Sequence, residues 1–171
     1  MIYLDTLKPN DVIGFYTWIT DYEVTKYSLT LFQKLKIKGD IDTWYTELLE
    51  DIKNVNFGLY LTENNACIGY AGLTNISQTN KSAEFFIFIG DKTQWGKGYG
   101  TIVTNKVVDY GFNELSLNRI MLTVSEPNIG GYNAYKKAGF IYEGKLREAC
   151  FRDGKYHDKI IMSILKSEYK K

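Results

Sequence analysis

The run from Phe85 to Thr101 constrains this chain more than any other. It reads Phe85-Phe86-Ile87-Phe88-Ile89, then Gly90-Asp91-Lys92-Thr93-Gln94, then Trp95-Gly96-Lys97-Gly98-Tyr99-Gly100-Thr101. An unbroken apolar run closed by a glycine predicts a strand covered on both faces, and so central in its sheet. Three alternating glycines then lead into Tyr99 to Leu115, where Val103, Val107, Tyr110 or Gly111, and Leu115 recur at helical spacing. Glycines let the backbone bend with little steric penalty and bring its N–H groups close to an anion. The helix behind them adds unpaired N–H donors and the positive end of its dipole. The chain is thus expected to bind a phosphorylated ligand.

Around this run the pattern is that of one α+β domain on a mixed sheet. Ile2 to Leu7 predicts a first strand, and Val12, Phe15, Tyr16 and Ile19 a helix begun by Pro9-Asn10-Asp11. Tyr22 to Gly39 stays ambiguous between helix and loop. Asp40 or Asp42 is placed to cap a second helix carrying Ile41, Trp44, Tyr45, Leu48, Leu49 and Ile52. Phe57 to Leu61 and Ala66 to Asn75 read as a hairpin turning at Glu63-Asn64-Asn65, with Ser77 to Ser82 a polar connector. Arg119 to Val124 is a further strand, so strand, helix and strand suggest a parallel or splayed pair joined by a crossover. A short helix from Gly130 or Gly131 to Ala138 is stopped by Gly139. Phe140 to Phe151 and Lys155 to Leu165 form a last hairpin around Asp153-Gly154, and Lys166 to Lys171 reads as a frayed tail.

Charge and cysteine usage exclude several classes. With 21 basic and 20 acidic residues spread along 171, no basic face is visible and nucleic acid is not a favoured partner. Cys67 and Cys150 lie far apart, with neither metal-ligand nor redox spacing, and read as buried thiols of a reducing compartment. No metal is expected. The start lacks the blocks of a signal peptide, and no apolar run approaches the ~20 residues needed to span a bilayer. A cytoplasmic protein without a membrane partner is expected.

Two familiar phosphate motifs do not fit. A dinucleotide fingerprint needs a third glycine where Thr101 or Val103 stands, and a Walker-type loop needs Gly-Lys-Ser/Thr, which does not occur. Instead, Trp95-Gly96-Lys97-Gly98-Tyr99-Gly100 resembles the pyrophosphate loop of the GNAT N-acetyltransferases, with Trp95 where the broad family has Gln or Arg. Asn128-Ile129-Gly130-Gly131-Tyr132-Asn133-Ala134-Tyr135-Lys136-Lys137-Ala138-Gly139-Phe140 is similar to the same family's later segment: Asn, a Tyr seven residues on, then Gly-Phe. Glu143 to Arg147, Gly154 to Asp158 and Met162 to Leu165 resemble the ending of its ribosomal-protein, spermidine and amino-sugar members. The likeness is close from Ala83 to Leu165 and pattern-deep before that.

The resemblance implies a single domain of about seven mostly antiparallel strands, splayed between the fourth and fifth, flanked by about four helices. It implies acceptor-side helices and strands in residues 1–82, an acetyl-CoA core in 83–140 and a C-terminal hairpin in 141–165. The activity implied is transfer of the acetyl group of acetyl-CoA to a primary amine by direct attack in a ternary complex. The acceptor is a small amine, polyamine, amino sugar or protein N-terminus. Cofactor contacts fall on Phe88 and Ile89 in the strand, on Trp95, Gly96, Lys97, Gly98, Tyr99, Gly100 and Thr101 in the loop, and on Asn128 and Tyr135. A backbone N–H of the central strand would be the oxyanion donor.

Tyr135 matches the family's general acid, since a phenol holds its proton at neutral pH and can donate it to a thiolate. Glu84 is the candidate base, against His157 beside Asp158, or water; Asn128 can also cap a helix. Gly130-Gly131 departs from the larger residues usual there, through close backbone approach or a late helix start. Tyr22, Glu23, Tyr27, Trp44, Tyr45, Glu47, Glu50 and Asp51 could cradle a polyamine, or form an ordinary solvated face. Homodimerisation through the C-terminal strands is a further implication. The alternative class is a silent acyl-CoA-binding module, against which Tyr135 argues.

Overall fold

A computed structural model describes residues 1–169 and arranges seven strands in one mixed sheet, ordered β1-β2-β3-β4-β5-β7-β6. The strands are β1 (Ile2–Asp5), β2 (Val55–Leu61), β3 (Cys67–Ser77), β4 (Ser82–Ile89), β5 (Arg119–Ser125), β6 (Ile141–Arg152) and β7 (Lys155–Leu165). All neighbours run antiparallel except β4 and β5, which the crossover helix makes parallel. Five α-helices flank the sheet: α1 (Val12–Thr20), α2 (Tyr22–Thr25), α3 (Lys38–Glu50), α4 (Tyr99–Asn113) and α5 (Ile129–Lys137). The extra one is α2, a single turn within the stretch whose periodicity was ambiguous.

β4 is central and covered on both faces, as its composition requires. Ala83 and Phe85 join a core with Val103, Val107, Val108 and Phe112 of α4 and with Ile120, Leu122, Ile160 and Met162 of the later strands. Phe88, with Phe86 beside it, faces an aromatic core built from Phe15, Phe32, Trp44, Tyr45 and Tyr70 under α1 and α3. Period-two alternation along one strand therefore serves two separate cores. The sheet divides the molecule into an α4–α5 face and an α1–α3 face.

Three local expectations change. α3 begins at Lys38 with Ile37 at its N-cap and no capping side chain. Asp40 lies in the first turn, where a negative charge suits the helix dipole without capping, and Asp42 accepts the Tyr16 hydroxyl. The expected frayed tail is pinned through Tyr169, whose ring lies 5.3 Å from that of Phe112 and whose hydroxyl bonds Asp109 at 2.9 Å. The last two lysines lie outside the described residues. Both cysteines are free thiols, Cys150 buried and Cys67 half-buried, and burial pushes the Cys67 thiol up to about 12.

Candidate active site

β4 delivers the chain to the glycine loop through a short rigid connector. Asp91 caps a single 3-10 turn, Lys92–Gln94, by accepting the Thr93 N–H at 3.0 Å. The Trp95 indole then donates to the Ile89 carbonyl at 2.9 Å, folding the loop back on the end of its own strand. Trp95 thus holds the loop through its side chain and remains 45% exposed beside it. Gly96 and Gly98 have φ of 76° and 80°, and a Cβ built on either meets nothing within 4 Å. Glycine is required there for the left-handed turn, not for space.

The first helical bond of α4 runs from the Ile102 N–H to the Gly98 carbonyl. The N–H groups of Tyr99, Gly100 and Thr101 are left without helical acceptors, and no acidic residue stands in that turn. Lys97 adds a cation, held by Gln94 at 2.9 Å. Donors, dipole and lysine together form an anion site.

Beside this loop the sheet opens. β4 and β5 pair only from Ser82–Glu84 against Arg119–Met121, and beyond that they diverge around a cleft of about 240 Å³. The Gly90 N–H donates to the Ile68 carbonyl at 2.8 Å. By antiparallel alternation the next pair, Gly69–Ile89, exchanges no bonds, and neither does Ala71–Ile87. The backbone groups of Ile87 and Ile89 therefore face the gap. One of them, the Ile89 carbonyl, is engaged by Trp95. Phe88 falls on a bonded pair with Tyr70, so its backbone belongs to β3 and its ring to the aromatic core. The strand groups free for a ligand are those of Ile87 and the N–H of Ile89.

Tyr135 and Asn128 line the cleft from the α4–α5 face. The Tyr135 ring sits edge-on to Phe85 at 5.9 Å and tilted against Phe140 at 6.3 Å. Its hydroxyl makes no hydrogen bond among the described residues, and burial pushes the phenol up to about 12. Asn128 caps α5, its Oδ1 accepting the Gly131 N–H at 3.0 Å, which leaves the amide Nδ2 for the cleft. A Cβ on Gly131 would fall 2.7 Å from that amide, so the second glycine admits the capping rotamer. Nothing within 4 Å explains Gly130.

Glu84 lines the cleft too, but its place in the alternation turns it to the α1–α3 face, where it accepts the Asn75 amide at 2.9 Å. His157 does not line the cleft; it sits on β7 opposite Cys150, its Nε2 buried without a partner. Of the proposed acceptor-side residues only Tyr27 reaches the cleft, in a roof with Ser28, Leu29 and Thr30. Trp44 and Tyr45 are core, and Tyr45 donates to the Lys8 carbonyl. Glu23 pairs with Lys26 and Tyr22 with Asp153. Glu47, Glu50 and Asp51 lie around a separate groove at the end of α3. The α1–α3 side of the cleft carries Arg152 and Lys159 instead, together with Thr123 and Ser125. The strand period of Lys155–Leu165 was the one signal that could have turned Lys159 inward.

Comparison with known proteins agrees with this geometry. The model of the Acetyltransferase (GNAT) domain matches residues 2–141. The "Uncharacterized N-acetyltransferase p20" of Bacillus licheniformis is 33% identical over 164 residues, 95% of this chain and 90% of that protein. A spermidine N(1)-acetyltransferase of Vibrio cholerae is 39% identical over 102 residues, 60% of this chain and 58% of its own. A crystal structure of spermidine N-acetyltransferase from Vibrio cholerae in complex with CoA and spermine superposes with a TM-score of 0.86 at 27% identity. That match covers 98% of this chain and 97% of the other.

Proposed function

This chain belongs to the GNAT acetyltransferase family, and on that premise we propose how its cleft moves an acetyl group from acetyl-CoA to a primary amine. Three features fit the co-substrate: an anion site at the start of α4, unpaired strand groups at Ile87 and Ile89, and a gap between β4 and β5. Acetyl-CoA supplies the acetyl group as a thioester. The N–H groups of Tyr99, Gly100 and Thr101, reached past Gly96 and Gly98 and flanked by Trp95 and Lys97, hold its phosphates. Ile87, Ile89 and the Asn128 amide orient its arm, and an N–H of the strand receives charge developing on the carbonyl oxygen.

The acceptor approaches from the other face. The Glu84 carboxylate holds the amine and takes its proton, directly or through one water. The Tyr135 hydroxyl gives a proton to the leaving sulfur from the α5 side. Because Tyr135 and Glu84 stand on opposite faces of one gap, both substrates can be present together and the amine attacks directly. Labour then divides along the chain: residues 1–82 roof the acceptor side through Tyr27–Thr30, 83–140 surround the coenzyme and bring Glu84 to the amine, and 141–165 close the cleft with Arg152 and Lys159. One observation carries this reading: β4 and β5 stop pairing at Glu84, and the unpaired end of β4 runs on into the glycine turn that opens α4.

The test mixes protein, acetyl-CoA and a panel of amines, following free thiol and product mass together, with Glu84→Gln alongside. Acetylated amine is expected, with a rate about 100-fold lower in the variant and the loss greatest for strongly basic amines. Coenzyme binding without thiol release for every amine would favour the silent binding module. Self-association is assigned to the edge strand β6, which exposes Ile141, Tyr142, Leu146 and Phe151. A monomeric mass by light scattering would remove that assignment.

A further inference from the structure

We infer that the acceptor is an amine that also carries an anionic group, a carboxylate or a phosphate, held by Arg152 and Lys159. The inference rests on the acceptor face assigned above and names the substrate class of that same site. Among the described residues Arg152 is the one charged side chain that is buried, at 8% exposure. Its Nε donates to the Lys26 carbonyl at 2.9 Å and its Nη1 to the Phe151 carbonyl at 2.7 Å. Nη2 has no protein acceptor, and no carboxylate comes within ion-pair distance among the described residues. Burial of a charge is tolerated when it is paired, and here the pairing stops at two neutral carbonyls.

Lys159 repeats the pattern. It sits on β7 opposite Ser125 of β5, half-buried in the cleft wall, with no hydrogen bond or ion pair among the described residues. Its neighbours Ile160 and Met162 alternate with it into the α4–α5 core, so the ammonium belongs to the face that Glu84 occupies. Four cations elsewhere are answered by carboxylates: Lys26 takes Glu23, Lys92 takes Asp21, Arg119 takes Glu143 and Lys145 takes Glu126. Arg152 and Lys159, one buried and one half-buried, have no such partner among the described residues, and both line one cleft.

Charge balance then selects the ligand. The charged lining residues are Glu84, Arg152 and Lys159, one acid against two bases. A polycation would meet more repulsion than attraction there, and the acids that might have bound it are elsewhere, at the far end of α3 or in pairs of their own. An amine at Glu84 with its anion between Arg152 and Lys159 gives every charged group in the cleft an opposite charge as neighbour. The free edge of a guanidinium suits a planar carboxylate or a phosphate.

The experiment compares matched acceptors: amino acids against their amides, phosphoethanolamine against ethanolamine, and spermidine. Acetyl transfer is followed in parallel with calorimetric binding of each amine to protein saturated with coenzyme A. The anionic member of one pair is expected to be favoured by roughly 10- to 100-fold, the effect of a hydrogen bond to a charged group. Which pair responds tells carboxylate from phosphate. Lys159→Met should abolish most of that preference, and Arg152→Lys, which keeps the charge without the fork, should weaken it. Anion-dependent binding without transfer would uphold the inference and overturn the catalytic reading instead. Equal or better binding and transfer for the neutral twins or spermidine, or a preference untouched by Lys159→Met, would overturn the inference.

Discussion

Replacing Tyr135 by Phe removes one oxygen from the cleft and almost nothing else. The ring contacts to Phe85 and Phe140 survive, and the lost hydroxyl has no hydrogen-bond partner among the described residues. Folding stability should therefore change by no more than about 0.5 kcal/mol, as for substitutions that break no contact. The rate should change far more. A positioned general acid contributes roughly 10²- to 10⁴-fold, or about 3 to 5 kcal/mol of transition-state stabilisation. The assay is thiol release in a single turnover, so that product departure does not mask the chemical step. The affinity for coenzyme A, measured separately, should stay near that of the wild type.

Its pH dependence carries the sign. A phenol raised to about 12 keeps its proton throughout the assay range and loses it only as pH rises through that value. The wild-type rate should therefore show no alkaline decline from this group below about pH 10. A folded Tyr135→Phe protein whose single-turnover rate stays within about threefold of wild type would refute the general-acid role.

Gly98→Ala forces a Cβ onto a residue at φ 80° with open space around it, so its cost is purely backbone. About 1–2 kcal/mol of stability should be lost, seen as a lower Tm, together with weaker coenzyme A binding by calorimetry. Phe15 is fully buried among the rings of Trp18, Trp44, Tyr45, Tyr70 and Phe88. Phe15→Ala should cost about 3–5 kcal/mol in chemical denaturation. Arg119, then Ser163, hold the Glu143 carboxyl down to about 2 by hydrogen bonds. Its side chain is 37% exposed, so after solvent screening Glu143→Gln should cost only about 1 kcal/mol near neutral pH. A depressed carboxyl stabilises the fold above its unfolded value. The gap in urea midpoint between wild type and variant should therefore close as pH falls through the ordinary carboxylate range to about 2.

Features whose parts are neighbours in the chain were legible without a structure. Phe85 to Ile89 declared a central strand because both its faces are apolar, and Gly96 to Gly100 declared a left-handed turn into a helix start because glycines and helix follow at once. Asn128 and Tyr135 lie on one short helix, where spacing and type alone were informative. Failures arose where local pattern met a distant competitor. Asp40 and Asp42 looked like caps, but the helix began earlier and Asp42 took the Tyr16 hydroxyl. Phe88 was in the right strand, yet the register against Tyr70 gave the free backbone groups to Ile87 and Ile89.

By itself, then, the amino-acid order determined the strand, the glycine turn, the helix and the order in which they follow one another. Those are consequences of period, dihedral preference and the dipole of one segment. Tertiary structure alone decided the charged wall of the cleft, because its members come from Tyr27–Thr30, Glu84, Arg152 and Lys159, joined only when β5 pairs with β7 and α2 lies against the tip of β6. It also decided that Trp44 and Tyr45 would be core and not binding surface. Which face a strand residue takes follows from alternation, but what waits on that face depends on residues far away in the chain. Charge in a cleft is a sum over all of them, and no local window contains it.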